Sequence, residues 1–161
     1  DYTTESDARN EALQEFWRTL PTKSQLHPLV RSPLGRHYRS TSKRKALEGK
    51  NEIRLALIDP SIDTGSRTMD VGGCAIEPAG HAAIYSHVQE SLRKSYARSL
   101  VQALRYVVIK GSYADFTVIF TVAQIEGPLV KAVNTLSKSL THALPDVKGI
   151  MLFKDTRDGR D

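Results

Sequence analysis

The sequence has a single cysteine, Cys74, in 161 residues. An internal disulfide is therefore excluded, and so is any zinc or iron–sulfur site built from several thiolates of this chain alone. No apolar run approaches the ~18 residues of a spanning helix, so the chain does not read as a helical membrane protein. The opening DYTTESDARNE is polar and acidic and lacks the apolar core of a signal peptide. Glycine-rich phosphate loops of the GxGxxG and GxxxxGK types are missing, which leaves a doubly wound nucleotide or methyl-donor pocket without support. No GxSxG elbow occurs, and a serine-hydrolase reading fails with it. The histidines are His27, His37, His81, His87 and His142, and none form an HxxxH or HExxH pair. His81 and His87 fall on different faces of a helix, against a shared metal. Surface or boundary positions are expected for most of them.

What is present is an ordinary globular balance, with 40% apolar and 25% charged residues. It matches one domain of cytoplasmic type. The chain begins at Asp1 without Met and ends in DTRDGRD, which reads as a piece of something longer.

The net charge of +5 is concentrated. Residues 31–54 hold Arg31, Arg36, Arg39, Lys43, Arg44, Lys45, Lys50 and Arg54 against only Glu48 and Glu52. The rest of the chain is close to neutral. A focused basic stripe fits a polyanion, since each Lys or Arg can neutralise a phosphate and release a counterion. A solvated strand face would look the same.

The pattern predicts a helix over 4–20, with Leu13, Phe16, Trp17 and Leu20 along one stripe and Pro21 as its stop. Docking of that stripe, Trp17 included, onto a core is the expectation. Residues 21–35, with Pro21, Pro28, Pro33 and Gly35, read as a linker. Strands are expected over 37–48 and 51–59, joined by the EGKN hairpin turn. PSIDTGS reads as a loop, followed by a short strand near 67–71. Pro78 opens a helix of about 78–95 with Ile84, Val88 and Leu92 on one stripe, and a short helical turn covers 97–102. LRYVVIKG and DFTVIFTVA form a second hairpin across GSYA. Gly127 and Pro128 open a helix that Pro145 stops, and VKGIMLF is a last strand. Helices and hairpins segregate rather than alternate. The fold class is α+β, a mostly antiparallel sheet with helices packed on one face. Residues 1–27 form an N-terminal helix and linker, and residues 28–161 a single domain.

The basic strand is the best functional candidate. Tyr38, set among Arg36, Arg39, Lys43, Arg44 and Lys45, offers a π-face for a base, and the arginines offer planar forks for phosphate. Strand alternation limits the patch, because Lys43, Arg44 and Lys45 cannot all point one way. Cys74 follows two glycines just before a helix start. It reads either as a small buried hydrophobe or as a thiol activated by the helix N-terminus.

LGRHYRSTSKRKA at 34–46, GGCAIEP at 72–78, LRYVVIK at 104–110 and LPDVKGI at 144–150 occur in a fixed order. In that order they resemble the central domain of the RNA uracil-5-methyltransferase family, over about residues 28–154. The resemblance implies a partner, transfer or ribosomal RNA, and a methyl donor, S-adenosylmethionine, for the full-length protein. In that family the catalytic cysteine, the acid and the donor site lie in a C-terminal domain that no segment of this chain matches. The implied role is a central RNA-contacting scaffold that braces the missing catalytic domain of the same protein. By itself it is inactive, has no catalytic residues and binds no cofactor. Many members hold an iron–sulfur cluster, and Cys74 matches one of its ligand positions. A cluster is then possible only with further cysteines upstream, and this chain alone holds no metal. The implied RNA-binding residues are Arg36, Tyr38, Arg39, Lys43, Arg44 and Lys45, and the implied location is the cytoplasm. The competing readings are a free-standing α+β binding or dimerisation module and a self-contained enzyme using Cys74.

Overall fold

The computed structural model describes residues 2–49, 53–58, 68–69, 73–111 and 114–156. Helix α1 (Tyr2–Arg18) comes first. Strands β1 (Thr41–Glu48), β2 (Ile53–Ile58) and β3 (Thr68–Met69) follow the linker. Helix α2 (Ala79–Leu92) leads through a 3₁₀ turn at Ser95–Ala97 into α3 (Arg98–Ala103). Strands β4 (Leu104–Gly111) and β5 (Phe116–Val122), helix α4 (Gly127–Ala143) and strand β6 (Val147–Lys154) complete the order. The PSIDTGS loop and the centres of the EGKN and GSYA turns lie outside the described residues.

The strands form one sheet in the order β3-β2-β1-β4-β5-β6. Every neighbouring pair is antiparallel except β5 and β6, which run parallel. That exception follows from α4, which returns the chain to the same end of the sheet before β6 begins. The molecule is thus α+β with a mostly antiparallel sheet, as the segregated pattern predicts.

Alternation sorts the strand residues onto two faces. Ile53, Leu55, Val107, Ile109, Val118, Phe120 and Val122 share one face. They form a single buried cluster with Ile84 and Val88 of α2, Leu100 of α3, and Leu129, Leu136 and Leu140 of α4. Close approach of α2 to the sheet needs a glycine. A Cβ on Gly80 would sit 2.7 Å from the Phe116 ring. Gly111 ends β4 at φ +143, where a Cβ would meet the Asp115 carbonyl oxygen at 1.9 Å. Only glycine fits that entry to the β4–β5 turn.

Helix α1 departs from expectation. Its stripe is real, but none of its residues joins the core cluster. Phe16 is 60% exposed, with Leu13 and Leu20 exposed as well. Trp17 is half-buried, and its indole donates to the Ser24 carbonyl at 3.1 Å, inside the linker. Arg31 pairs with Asp7, tying the linker back onto the helix. Helical periodicity reports that a stripe exists, and it carries no information about which surface receives it.

Candidate nucleic-acid interface

The segment before β1 is exposed and bends at 35–37, and it is held by backbone pairing rather than by sheet membership. The His37 amide donates to the Ala75 carbonyl at 3.0 Å, and the Arg39 amide to that of Ile76 at 2.9 Å. His37 adopts φ 58 and its Nδ1–H donates to the Glu77 carbonyl at 2.6 Å. The turn at 74–77 and the basic lead-in are thus stitched together. Arg36, Tyr38 and Arg39 remain exposed at the surface, Tyr38 at 53%. Strand β1 starts at Thr41, later than the expected 37, because this pairing replaces the sheet ladder.

From Thr41 on, alternation divides the basic run. Ser42 and Arg44 turn toward the helices. Arg44 is 3% exposed, and its guanidinium grips the Glu77 carboxylate at 2.9 and 2.7 Å. Its Cζ also lies 4.7 Å from the centre of the Tyr85 ring. Arg44 therefore presents no charge to a phosphate. This corrects its assignment as an RNA contact: burial demands a paired partner for a guanidinium, and Glu77 fills that role. Lys43 and Lys45 point to the opposite face. Lys43 Nζ lies 3.5 Å above the centre of the Tyr106 ring on β4.

Beside the Arg44–Glu77 pair lies a polar chain within the core. Tyr85 donates to the Val107 carbonyl at 3.4 Å, and Ser42 Oγ contacts the Tyr85 hydroxyl at 2.9 Å and His81 Nδ1 at 2.8 Å. The proton arrangement that satisfies all three contacts has His81 Nδ1–H donating to Ser42. The buried Nε2, which has no hydrogen-bond partner, is then a bare lone pair beside Phe116. His81 is fully buried, the exception among the five histidines; His27, His37, His87 and His142 are exposed or half-buried, as expected for most of them. Burial pushes the Tyr85 hydroxyl up to about 12. Burial also lowers the His81 pKa, with Glu77 opposing the shift and Arg44 adding to it.

That shift has a consequence for stability. The unfolded chain protonates its histidine below about pH 6.5, while burial keeps folded His81 neutral to a lower pH. Stability is therefore complete above about pH 6.5 and falls as the pH drops. The His81 contribution to the slope has a ceiling of ~1.4 kcal/mol per pH unit, set by one proton. Urea midpoints measured from pH 7.5 to 5 are expected to decline, and His81→Gln is expected to flatten the decline. An equal slope in the variant would assign the effect to other groups.

Cys74 is a free, half-buried thiol lining a groove of about 840 Å³ that Glu77, Tyr85 and Gln89 also line. Among the described residues no three of His, Cys, Asp or Glu converge on a metal position. One thiolate also falls short of the cysteine set an iron–sulfur cluster needs, so the resident side chains do not fit that group.

The helix-free face is where the cations meet. Register places Lys45, Tyr106, Thr121 and Phe153 in one row across β1, β4, β5 and β6. The next row is Lys43, Val108, Ile119 and Met151, and the third is Thr41, Lys110, Thr117 and Gly149. Arg54 of β2 pairs with Leu47 on the same side. Lys43, Lys45, Arg54 and Lys110 thus share a face on which the strands present no described Asp or Glu. A groove of about 610 Å³ runs from Lys43 and Lys110 across to β6, floored by Tyr106, Val108, Ile119 and Thr121. Met151 and Phe153 rim it at 58% and 57% exposure.

No family model and no curated protein matches this chain. No described helix is long and apolar enough to cross a membrane.

The sequence reading placed Lys43, Lys45 and Arg54 in one basic stripe but missed Lys110, Met151 and Phe153 as their neighbours. The parity of Tyr106 and Lys110 within LRYVVIK was legible. Their placement beside β1 needed the β1–β4 register, a contact between segments some 60 residues apart.

Proposed function

We propose that this chain is the central, RNA-contacting scaffold of an RNA uracil-5-methyltransferase, inactive by itself. The observation that carries the reading is the sidedness of β1. Its lysines join Lys110 and Arg54 on a helix-free face where the strands present no described Asp or Glu, while its arginine is paired with Glu77. Phosphate contacts need exposed, unneutralised cations, and this face has them. The turn at 74–77, stitched to 37–39, supports the resemblance, because two of the segments that carry it meet in space. Methyl transfer belongs to a catalytic domain with which this one is joined, and the cytoplasm is the assigned location.

A filter-binding titration against a transfer RNA transcript tests the reading. Affinity is expected to fall steeply with salt, with a logarithmic slope of about −0.7 to −0.9 per phosphate contacted. Salt-independent binding, or none, overturns it. Incubation with S-adenosylmethionine and RNA is expected to give no methyl transfer, and transfer would overturn the inactive role.

A second reading, a protein-docking or dimerisation module, is favoured by the exposure of Met151 and Phe153. Sedimentation at rising protein concentration separates the two.

A further inference from the structure

We infer that the helix-free face takes single-stranded RNA, with one unpaired base stacked on Phe153 and the flanking phosphates on Lys43, Lys45 and Lys110. The inference rests on the RNA-binding reading above and names its substrate class.

A paired helix offers phosphates but keeps its bases covered, so it has no use for an exposed ring beside a cationic strip. An unpaired strand exposes both, and sheet faces that bind such strands combine cations for the backbone with aromatics for the bases. This face has that division. Its cations lie on β1, β2 and β4, and its open aromatic lies on β6. Two strands of the sheet, β4 and β5, separate β1 from β6. Strand spacing then puts β1 and β6 about 14 Å apart. The cations and the open ring thus flank the groove from opposite sides.

The two aromatics on this face differ in what they can do. Tyr106 is 7% exposed and already covered by Lys43, so its ring is not available to a base. Phe153 is more than half exposed, in line with Thr121 and Tyr106 along one row. Met151, one row over, adds a polarisable sulfur at the rim, and Ile119 supplies an apolar floor. A groove of about 610 Å³ lies within the range of ligand sites. The charge of the face also selects the occupant. A protein surface that docked here through Met151 and Phe153 alone would have no need of four cations on a face where the strands present no described acid, whereas a polyanion does.

The test measures fluorescence anisotropy of the full 161-residue chain. The probes are a labelled oligouridylate and a fully paired RNA duplex of equal length. The single strand is expected to bind tighter than the duplex, with a salt slope of about −2 for three lysine–phosphate contacts. Phe153→Ala and Phe153→Leu are each expected to lose roughly tenfold in affinity for the single strand, and Phe153→Tyr to stay within about twofold. Leucine separates stacking from apolar contact. Phe153 is exposed, so circular dichroism is expected to show unchanged folding in all three variants. Equal binding of duplex and single strand, with all variants at the wild-type level, overturns this inference while leaving the RNA reading in place. Failure to bind either RNA overturns both. A concentration-dependent dimer that Phe153→Ala dissociates, with RNA affinity unchanged, also overturns it and assigns the face to a protein.

Discussion

Replacing Glu77 with Ala is expected to destabilise the protein by about 3–5 kcal/mol, the usual cost of stranding one partner of a buried ion pair. That is a large fraction of the ~5–15 kcal/mol that holds a domain of this size together. The reason is asymmetric desolvation. Arg44 sits at 3% exposure, and both arms of its guanidinium are taken by Glu77 at 2.9 and 2.7 Å. Without the carboxylate, a full charge remains inside with only the face of Tyr85 and the Lys43 carbonyl to meet it. The pair itself need not be strongly stabilising. The double variant Arg44→Met/Glu77→Leu removes both charges and is expected to recover most of the loss. Urea unfolding of the wild type, both single variants and the double variant gives the complete cycle. A Glu77→Ala cost below ~1 kcal/mol would show that water reaches the pair, contrary to its burial. The double variant also separates structure from function. Arg44 points away from the cationic face, so RNA affinity is expected to survive its loss whenever the fold does.

The second expectation is the complement of the first. Lys43→Glu/Lys45→Glu is expected to weaken RNA binding by about a hundredfold at low salt and to reduce the salt slope by about 2. Both side chains are on the helix-free face, so little stability is at risk. Lys43 gives up its contact with the Tyr106 ring. Such a contact is worth ~0.5–1 kcal/mol at an exposed site. The two neighbours Lys43 and Arg44 thus make opposite predictions. Reversal of the lysines damages binding and spares the fold, while loss of the arginine's partner damages the fold. Binding unaffected by the lysine reversals would remove β1 from the RNA path and move the search to Arg36, Tyr38 and Arg39, which the 74–77 turn holds at the surface.

The elements were legible because each carries its own punctuation. Pro128 just inside the start of α4 and Pro145 just past its end bracket a helix whose buried leucines fall on one face, and the structure has that helix at Gly127–Ala143. LRYVVIKG reads as a strand and is one, from Leu104 to Gly111. The α1 stripe was legible too, but its expected docking was not realised, since Leu13, Phe16 and Leu20 remain exposed. His81 shows the same limit from the other side. A lone histidine on a helix gives no warning that Ser42, 39 residues away, will receive its ring nitrogen inside the core.

The candidate site divides in the same way. The two-residue period of a strand is a local property, so the sequence alone already required Lys43 and Arg44 to face opposite ways. It could not say which face the helices would cover. That was decided when α2, α3 and α4 packed over Val107, Phe120 and Leu55, and the turn after Gly73 brought Glu77 to Arg44. Burial is a long-range outcome: a guanidinium becomes a structural group or a surface charge according to what the rest of the chain lays against it. The same packing left Lys110, Arg54 and Phe153 beside the two lysines, a neighbourhood written in strand register rather than in any contiguous stretch of residues.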